Sequence, residues 1–275
     1  MAGLSEIRQP MKLFKDLRIG SWNVLSLYRS KSLQMLLDQL KKYYVDITCV
    51  QEMRWIGSGT IEKKNWIIFY SCDKKEHKLG TGFVVHKKVK HLIMDFQPKS
   101  PRMCWLRIRG KFFNYSIINA HAPTEDKSDT EKNAFYDGLR NLYDACPKRD
   151  VKLIIGDLNA QIGKEAIYYP TIGKEAYHQE INENGKRLIH LAASRNMVID
   201  TTLFPHKVIQ KITWRSPDVH HFIQIDHLLI DPRHVSHLMD ARTHRCANVD
   251  SDHFLLVSRI RARISNAKKF LGEKG

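Results

Sequence analysis

The feature that most constrains this chain is a pattern repeated along it. A short apolar run stops, and a polar side chain capable of chemistry follows at once. Residues 151–159, Val-Lys-Leu-Ile-Ile-Gly-Asp-Leu-Asn, show it most plainly. The first five are mostly apolar and rich in β-branched side chains, which marks a buried strand. Gly156 ends the run, and Asp157 and Asn159 follow two apart. Side chains at i and i+2 of an extended chain point the same way, and a strand end holds them on a rigid scaffold. Asp can bind a cation, position a water or take a proton; Asn can donate to a phosphate oxygen and accept from a water. Gly, Asp and Asn are also the ordinary residues of a turn, so this stretch alone reads equally as turn or as site. What tips the balance is recurrence.

Residues 17–24 alternate as a strand, with Leu17, Ile19 and Ser21 on one face and Arg18, Gly20 and Trp22 on the other, and Asn23 lies at its end. Residues 45–50 read as a second strand, closed by Gln51-Glu52. Residues 112–120 read as a strand running into Asn-Ala-His121-Ala-Pro. Asp226 falls inside the apolar run 222–230, where a carboxylate must be paired or hydrogen-bonded. Ser251, Asp252 and His253 precede a terminal strand expected over 254–264.

Further strands are expected over 66–71, 81–86, 91–96, 103–109 and 212–215. Short connections carrying Gly80, Gly82, Pro98, Pro101 and Gly110 favour antiparallel pairing among them. Three amphipathic helices are expected: 31–43 on Leu33, Leu36, Leu37 and Leu40; 128–143, opened by a Ser128/Glu131 capping box; and one near 184–194. Trp55 and Trp66 flank what reads as a loop around Gly57 and Gly59. His220, His221, His234 and His237 read as surface residues.

No linker or low-complexity tract interrupts the 275 residues, so one domain is expected over 13–265, with a loose lead-in over 1–12 and a basic tail over 266–275. A formal net charge of +16 attracts polyanions, nucleic acid first and an anionic membrane surface second. Five cysteines, odd in number and without a Cys-x-x-Cys, argue against a disulfide framework or a structural zinc site. They favour a reducing compartment, nuclear or cytoplasmic. The first residues lack the apolar core of a signal peptide, so secretion is not expected, and no run is long enough to span a membrane.

The run ends together supply Asn23, Glu52, His121, Asp157, Asn159, Asp226, Asp252 and His253. Carboxylates with few cysteines suit a hard, oxygen-liking cation, Mg²⁺ or Mn²⁺. A His beside an Asp is an orientable base or electrostatic partner. No Gly-rich phosphate loop, Gly-x-Ser-x-Gly elbow or His-Glu-x-x-His helix is present. The residues by themselves point to metal-assisted hydrolysis of a phosphate ester by water.

Taken in order, Ser-Trp-Asn23-Val, Val-Gln-Glu52, Asn-Ala-His121-Ala-Pro, Gly-Asp157-Leu-Asn159, Gln-Ile-Asp226-His and Ser-Asp252-His253 resemble the endonuclease/exonuclease/phosphatase superfamily over roughly residues 17–264. Residues 182–188, 213–218 and 224–227 carry a closer similarity to the endonuclease domain of RTE-type non-LTR retrotransposons and to craniofacial development protein 2-like proteins. The resemblance implies a four-layer α/β sandwich: two mostly antiparallel sheets packed face to face, with helices outside. It also implies a magnesium-dependent nicking endonuclease acting on double-stranded DNA; a monomer with no membrane partner is expected. Glu52 would be the principal Mg²⁺ ligand, with Asp157 and Asp252 close to the metal. Asp157 would orient or deprotonate the attacking water, and Asn159 would hold that water and the phosphate. Asn23 would contact the phosphate or the metal shell. Asp226 would pair with His253, which would contact the scissile phosphate. His121 would protonate the leaving oxygen or support its neighbours. Thr213 and Ser251 would contact substrate.

Two departures bear on specificity. Leu158 replaces the commoner Phe between Asp157 and Asn159. Leu25 stands where abasic endonucleases often carry an Asp, which weighs against abasic specialisation. A phosphatase or phosphodiesterase on another phosphate ester is the alternative activity, although the Trp-Cys-Asp-Arg type sequence of those relatives is missing at Asp226. A catalytically idle, retroelement-derived interaction protein is the third reading.

Overall fold

The computed structural model describes residues 16–261. The expected lead-in over 1–12 and basic tail over 266–275 lie outside the described residues, as does the far end of the strand expected over 254–264.

Seven strands form the first sheet: β1 (Leu17–Asn23), β2 (Ile47–Gln51), β3 (Ser58–Glu62), β4 (Trp66–Ser71), β5 (Thr81–His86), β14 (Leu238–His244) and β15 (Leu255–Ile260). Their order across the sheet is β14-β15-β1-β2-β5-β4-β3. Six form the second: β6 (Ile93–Ser100), β7 (Met103–Ile108), β8 (Tyr115–His121), β9 (Val151–Asp157), β10 (Val198–Ile199) and β13 (Asp226–Ile230), in the order β10-β13-β9-β8-β7-β6. A small ribbon joins β11 (Trp214–Arg215) to β12 (Phe222–Ile223). Pairing is antiparallel except at β1 with β2 and β8 with β9.

The sheets are buried on both faces, and that is why their central strands read as apolar runs and not as simple alternations. Between the sheets, Ile19, Ile47, Phe83, Leu106, Ile117, Leu153 and Leu228 share one core. On the outer face of the first sheet, Trp22, Val50, Val84 and Leu255 pack under α1 (Ser32–Lys42) through Leu36, Leu37 and Leu40. On the outer face of the second, Ile118 and Ile154 pack under α2 (Asp129–Ala145) and α3 (Glu183–Ser194) through Leu139, Leu188 and Leu191. The layers are helix, sheet, sheet, helix, as the resemblance implied. Leu36 is fully buried, and its truncation to Ala would cost about 2–5 kcal/mol.

The helix ends follow from the sequence. Ser128 Oγ accepts from the Glu131 amide at 3.3 Å and opens α2. Asn182 Oδ1 accepts from the Gly185 amide at 2.7 Å and opens α3.

Several elements differ from expectation, each for a physical reason. The region around Gly57 and Gly59 is an edge strand, β3, whose alternate residues are exposed and so carry little apolar signal. Residues 87–92 form a 3-10 helix, so the strand expected from residue 91 begins at Ile93. The strand expected from residue 112 begins at Tyr115, because Phe112 and Phe113 are exposed in the preceding loop. The run 222–230 is broken between β12 and β13. Sequence patterning gave no sign of β14, where Asp240, Arg242 and His244 interrupt the apolar positions of an edge strand.

Candidate active site

Topology brings the run ends to one edge of the sandwich. In the parallel pair β8 and β9, His121 lies opposite Asp157. Strand β13 runs antiparallel to β9 and starts where β9 ends, so Asp226 also lies opposite Asp157. In the first sheet the parallel pair β1 and β2 places Asn23 beside Gln51, and Glu52 follows. Strand β15 is antiparallel to β1, so the residues just before it, including His253, enter at the same edge.

Asp157 is the hub. Its Oδ2 accepts from Asn23 Nδ2 at 2.9 Å, and faces His121 Nε2 at 3.7 Å and His253 Nε2 at 3.6 Å. Its Oδ1 accepts from the Asn159 amide at 3.2 Å. The other ring nitrogen of His253, Nδ1, lies 3.1 Å from Asp226 Oδ2. Asn23 Nδ2 also donates to Glu52 Oε1 at 3.0 Å, and that oxygen is 3.9 Å from His121 Nε2. The second Glu52 oxygen accepts from Arg54 Nη2 at 2.5 Å.

The backbone beneath is tightly set. A Cβ on Gly156 would stand 1.9 Å from the Ala120 carbonyl oxygen, so only glycine lets β9 approach β8 this closely just before Asp157. Leu25, Glu52, Arg54 and Asn159 all have left-handed backbones, with φ of 55°, 55°, 55° and 48°. Non-glycine residues seldom hold this conformation unless their surroundings impose it, and such residues gather at functional sites. Deeper between the sheets, Gln51 Nε2 donates to Asn119 Oδ1 at 2.7 Å, and Asn119 Nδ2 donates to the carbonyls of Val50 and Gly82 at 3.0 and 2.7 Å. This buried polar tie joins β2 to β8 one and two residues below Glu52 and His121.

The charges are set by these contacts. Burial drives His253 downward, but Asp226 and Asp157 outweigh it and raise its pKa to about 9, so the ring is an imidazolium at neutral pH. Burial lowers His121 against the opposing pull of Asp157 and Glu52, which leaves that ring neutral. Burial pushes Asp157 upward, with the nearby Asp226 adding to it while His253 and His121 oppose. Burial also pushes Glu52 upward, yet His121, the Asn23 amide and Arg54 together bring it below the ordinary glutamate value.

A divalent cation fits this donor set. Glu52 Oε1 and Asp157 Oδ2 converge on one amide nitrogen and present hard oxygens of the kind Mg²⁺ or Mn²⁺ takes. Asp157, Asp226 and His253 also offer three ligand atoms within 4.8 Å of one another. His253 and Asp226 already satisfy each other there, so Glu52 and Asp157 fit the ion better. Asp226 Oδ1 and Asp252 Oδ1 are buried oxygens with no partner among the described residues, which leaves acceptor capacity beside them.

The remaining candidates have other work. Asn159 Nδ2 donates to the Ala122 carbonyl at 3.0 Å, which fixes its side chain at the rim. Thr213, read as a substrate contact, is fully buried, and its Oγ1 accepts from the amides of Ile225 and Asp226 at 2.9 and 3.1 Å. It sets the start of β13. Ser251 Oγ donates to the Asn23 carbonyl at 2.7 Å and accepts from the His253 amide at 3.0 Å, so it ties the His253 loop to β1. Asp252 Oδ2 accepts from the Trp214 indole at 2.8 Å, and its charge adds to the carboxylates that raise the pKa of His253. Sequence reading passed over Arg54 and Asn119. An amide in mid-strand, two residues before His121, was the available signal for Asn119; nothing marks Arg54 before its ion pair is seen.

The model of the Endonuclease/Exonuclease/phosphatase family matches residues 20–253. A curated relative, craniofacial development protein 2 of Bos taurus, is 33% identical over 246 residues, covering 90% of this chain and 41% of its own length. The chain thus spans about two fifths of that relative. Among solved structures, the Xenopus laevis APE2 catalytic domain superposes with a TM-score of 0.70 at 16% identity, covering 92% of this chain and 94% of that one. The endonuclease domain of TRAS1, a telomere-specific non-LTR retrotransposon, gives 0.63 at 14% identity, covering 90% and 99%. At these identities the structural likeness establishes the fold.

Proposed function

Because the chain belongs to the endonuclease/exonuclease/phosphatase family, whose members are typically hydrolytic nucleases or phosphatases, we propose that it is a metal-dependent endonuclease nicking double-stranded DNA. The observation that carries this reading is Asp157: a buried carboxylate held by Asn23 and Asn159 and facing a charged His253.

The residues divide the work. Asp157 accepts a proton from the attacking water, and Asn159 and Asn23 fix the carboxylate so that its direction is set before substrate arrives. His253, held charged and oriented by Asp226, faces the phosphate and stabilises the negative charge that grows on its oxygens as the water adds. His121, neutral, points Nε2 towards Glu52 and Asp157 and supports their carboxylates; a ring whose pKa is depressed is rarely protonated near neutral pH and so holds no proton for the leaving oxygen. Water oxygen bonds to phosphorus as its proton passes to Asp157, the bond from phosphorus to O3′ breaks, O3′ takes a proton from solvent water, and the products are a 5′-phosphate and a 3′-hydroxyl. Glu52 and Asp157 would hold Mg²⁺ or Mn²⁺, which supplies Lewis-acid neutralisation of the phosphate.

The net charge of +16 suits a DNA substrate, since phosphate contacts supply most of the binding energy. The proposal includes action as a monomer in a reducing compartment, nuclear or cytoplasmic. Five free cysteines, four of them buried, fit that setting.

The deciding experiment is nicking of supercoiled plasmid with Mg²⁺, with EDTA, and with Asp157→Asn. Relaxed circles with Mg²⁺ alone are expected. Equal relaxation in EDTA, or by Asp157→Asn, would overturn the assignment. Release of inorganic phosphate from small phosphate esters with no nicking would move the activity to the phosphatase branch.

A further inference from the structure

The far end of the sandwich carries a second concentration of unusual residues. Strand β8 runs seven residues from Tyr115 to His121, so its two ends stand about 20 Å apart at about 3.3 Å per residue. At the end away from His121, two adjoining clefts of about 770 and 390 Å³ share Phe112 and Phe113 in their walls. These two rings are 64% and 49% exposed, although a Phe ordinarily packs inside. The loop is built to present them. A Cβ on Gly110 would stand 1.9 Å from the Phe113 carbonyl oxygen, so glycine lets the chain double back and leaves both rings outside. The edge of His234 meets Phe113, with ring centres 5.3 Å apart.

The walls around the rings are basic. Arg107, Lys148, Arg149 and Arg233 line the larger cleft and Arg261 the smaller. Asp150, bonded bidentately by Arg107 at 2.8 and 3.0 Å, is the acid in these walls. Arg233 is paired with Asp231. Lys148, Arg149 and Arg261 are exposed and, among the described residues, have no acidic partner in ion-pair contact. The clefts therefore combine two exposed aromatic rings, with Lys111 Nζ 5.3 Å from the centre of the Phe112 ring, and positive charge that no acid among the described residues offsets at Lys148, Arg149 and Arg261.

We propose that this end of the molecule, remote from Asp157, is a binding site for single-stranded nucleic acid. Bases would stack on Phe112 and Phe113 while the backbone phosphates lie against Lys148, Arg149 and Arg261. An aromatic face needs an unstacked base; bases in a duplex are stacked on each other and show a protein only their edges. Aromatic platforms flanked by cations are the usual means of holding a strand without reading its sequence. The inference does not depend on the nuclease reading, because none of these residues belongs to that site.

The test measures fluorescence anisotropy of labelled oligo-dT, oligo-rU and a matched duplex, all in EDTA to prevent cleavage. The parent is compared with Phe112→Ala/Phe113→Ala and with Lys148→Glu/Arg149→Glu. All four positions are exposed, and unchanged melting curves establish that the variants fold. Loss of the two rings should weaken single-strand binding roughly five- to hundredfold and leave duplex affinity and plasmid nicking as in the parent. The charge reversals should weaken single-strand binding as well. The dT and rU arms tell DNA from RNA as the strand preferred. Single-strand affinity untouched by loss of the rings, even if the charge reversals reduce it, would mark an unspecific polyanion surface and overturn the proposal. Equal losses for duplex and single strand, or no single-strand binding by the parent, would do the same.

Discussion

Replacing Asp226 by Asn tests the electrostatic argument at its centre. Asp226 is the leading group that raises the pKa of His253 to about 9 from 6.5. With a pKa of about 9 the ring is about 97% protonated at pH 7.5; at the ordinary 6.5 it is about 9% protonated. If the imidazolium is the active form, Asp226→Asn should lose about tenfold in nicking rate at pH 7.5 and regain most of it near pH 6. The parent should decline only as pH passes about 9.

The same shift sets a stability signature of opposite visibility. His253 binds its proton more tightly folded than unfolded, so its contribution is full below pH 6.5 and disappears as pH rises through about 9. The difference of about 2.5 units corresponds to about 3 kcal/mol. The variant should therefore be markedly less stable than the parent to urea at pH 6, and the gap should close by pH 9.5. Both measurements belong together, with the urea series in EDTA and proton NMR of the imidazole giving the pKa directly. A parent-like alkaline limit in Asp226→Asn, or a stability gap independent of pH, would refute the assignment of charge to His253.

Gly156→Ala should destabilise the fold by about 3 kcal/mol, because the added methyl meets the Ala120 carbonyl oxygen at 1.9 Å; the urea midpoint measures it, and a near-neutral result would mean that β8 and β9 yield easily. Asn119→Leu removes three buried hydrogen bonds between the sheets, for an expected loss of about 2–3 kcal/mol in urea unfolding; a silent substitution would dismiss the tie as incidental. Leu25 is apolar and offers the site only its backbone amide, bonded to Asn23 Oδ1 at 3.0 Å. Duplexes with and without one abasic site should then be nicked at similar rates, with preference for flexible pyrimidine–purine steps; cutting confined to the abasic duplex would make the enzyme a repair type.

Legibility in the sequence followed burial. Strands covered on both faces, such as β4, β5 and β9, announce themselves as apolar runs, and residues that stop those runs became the site. Edge strands β3 and β14 did not, because their exposed positions take whatever polar residue keeps an edge soluble. Among site residues, those fixed by their own strand ends, Asn23, Glu52, His121 and Asp157, were readable from position. The structural partners of Thr213 and Ser251 were not readable, because their hydroxyls meet backbone groups that lie mostly far along the chain. No spacing rule reports such partners. Asn119 was hidden for the same reason: its three partners lie on β2 and β5, some 37 to 69 residues away.

The second sheet is drawn from residues 93–230, a single stretch, whereas the first is assembled from residues 17–86 and 238–260. His253 therefore reaches Asp157 only after the chain has come back to pair β15 with β1. During synthesis Asp157, its amide partners Asn23 and Asn159 and the Glu52 side chain all leave the ribosome before the His253 imidazole. On the proposed nuclease reading, a chain made only as far as β13 holds those groups without the imidazolium that faces the phosphate, so cutting would wait until β15 docks on β1. On that reading the order of the chain would delay the chemistry until the first sheet is closed.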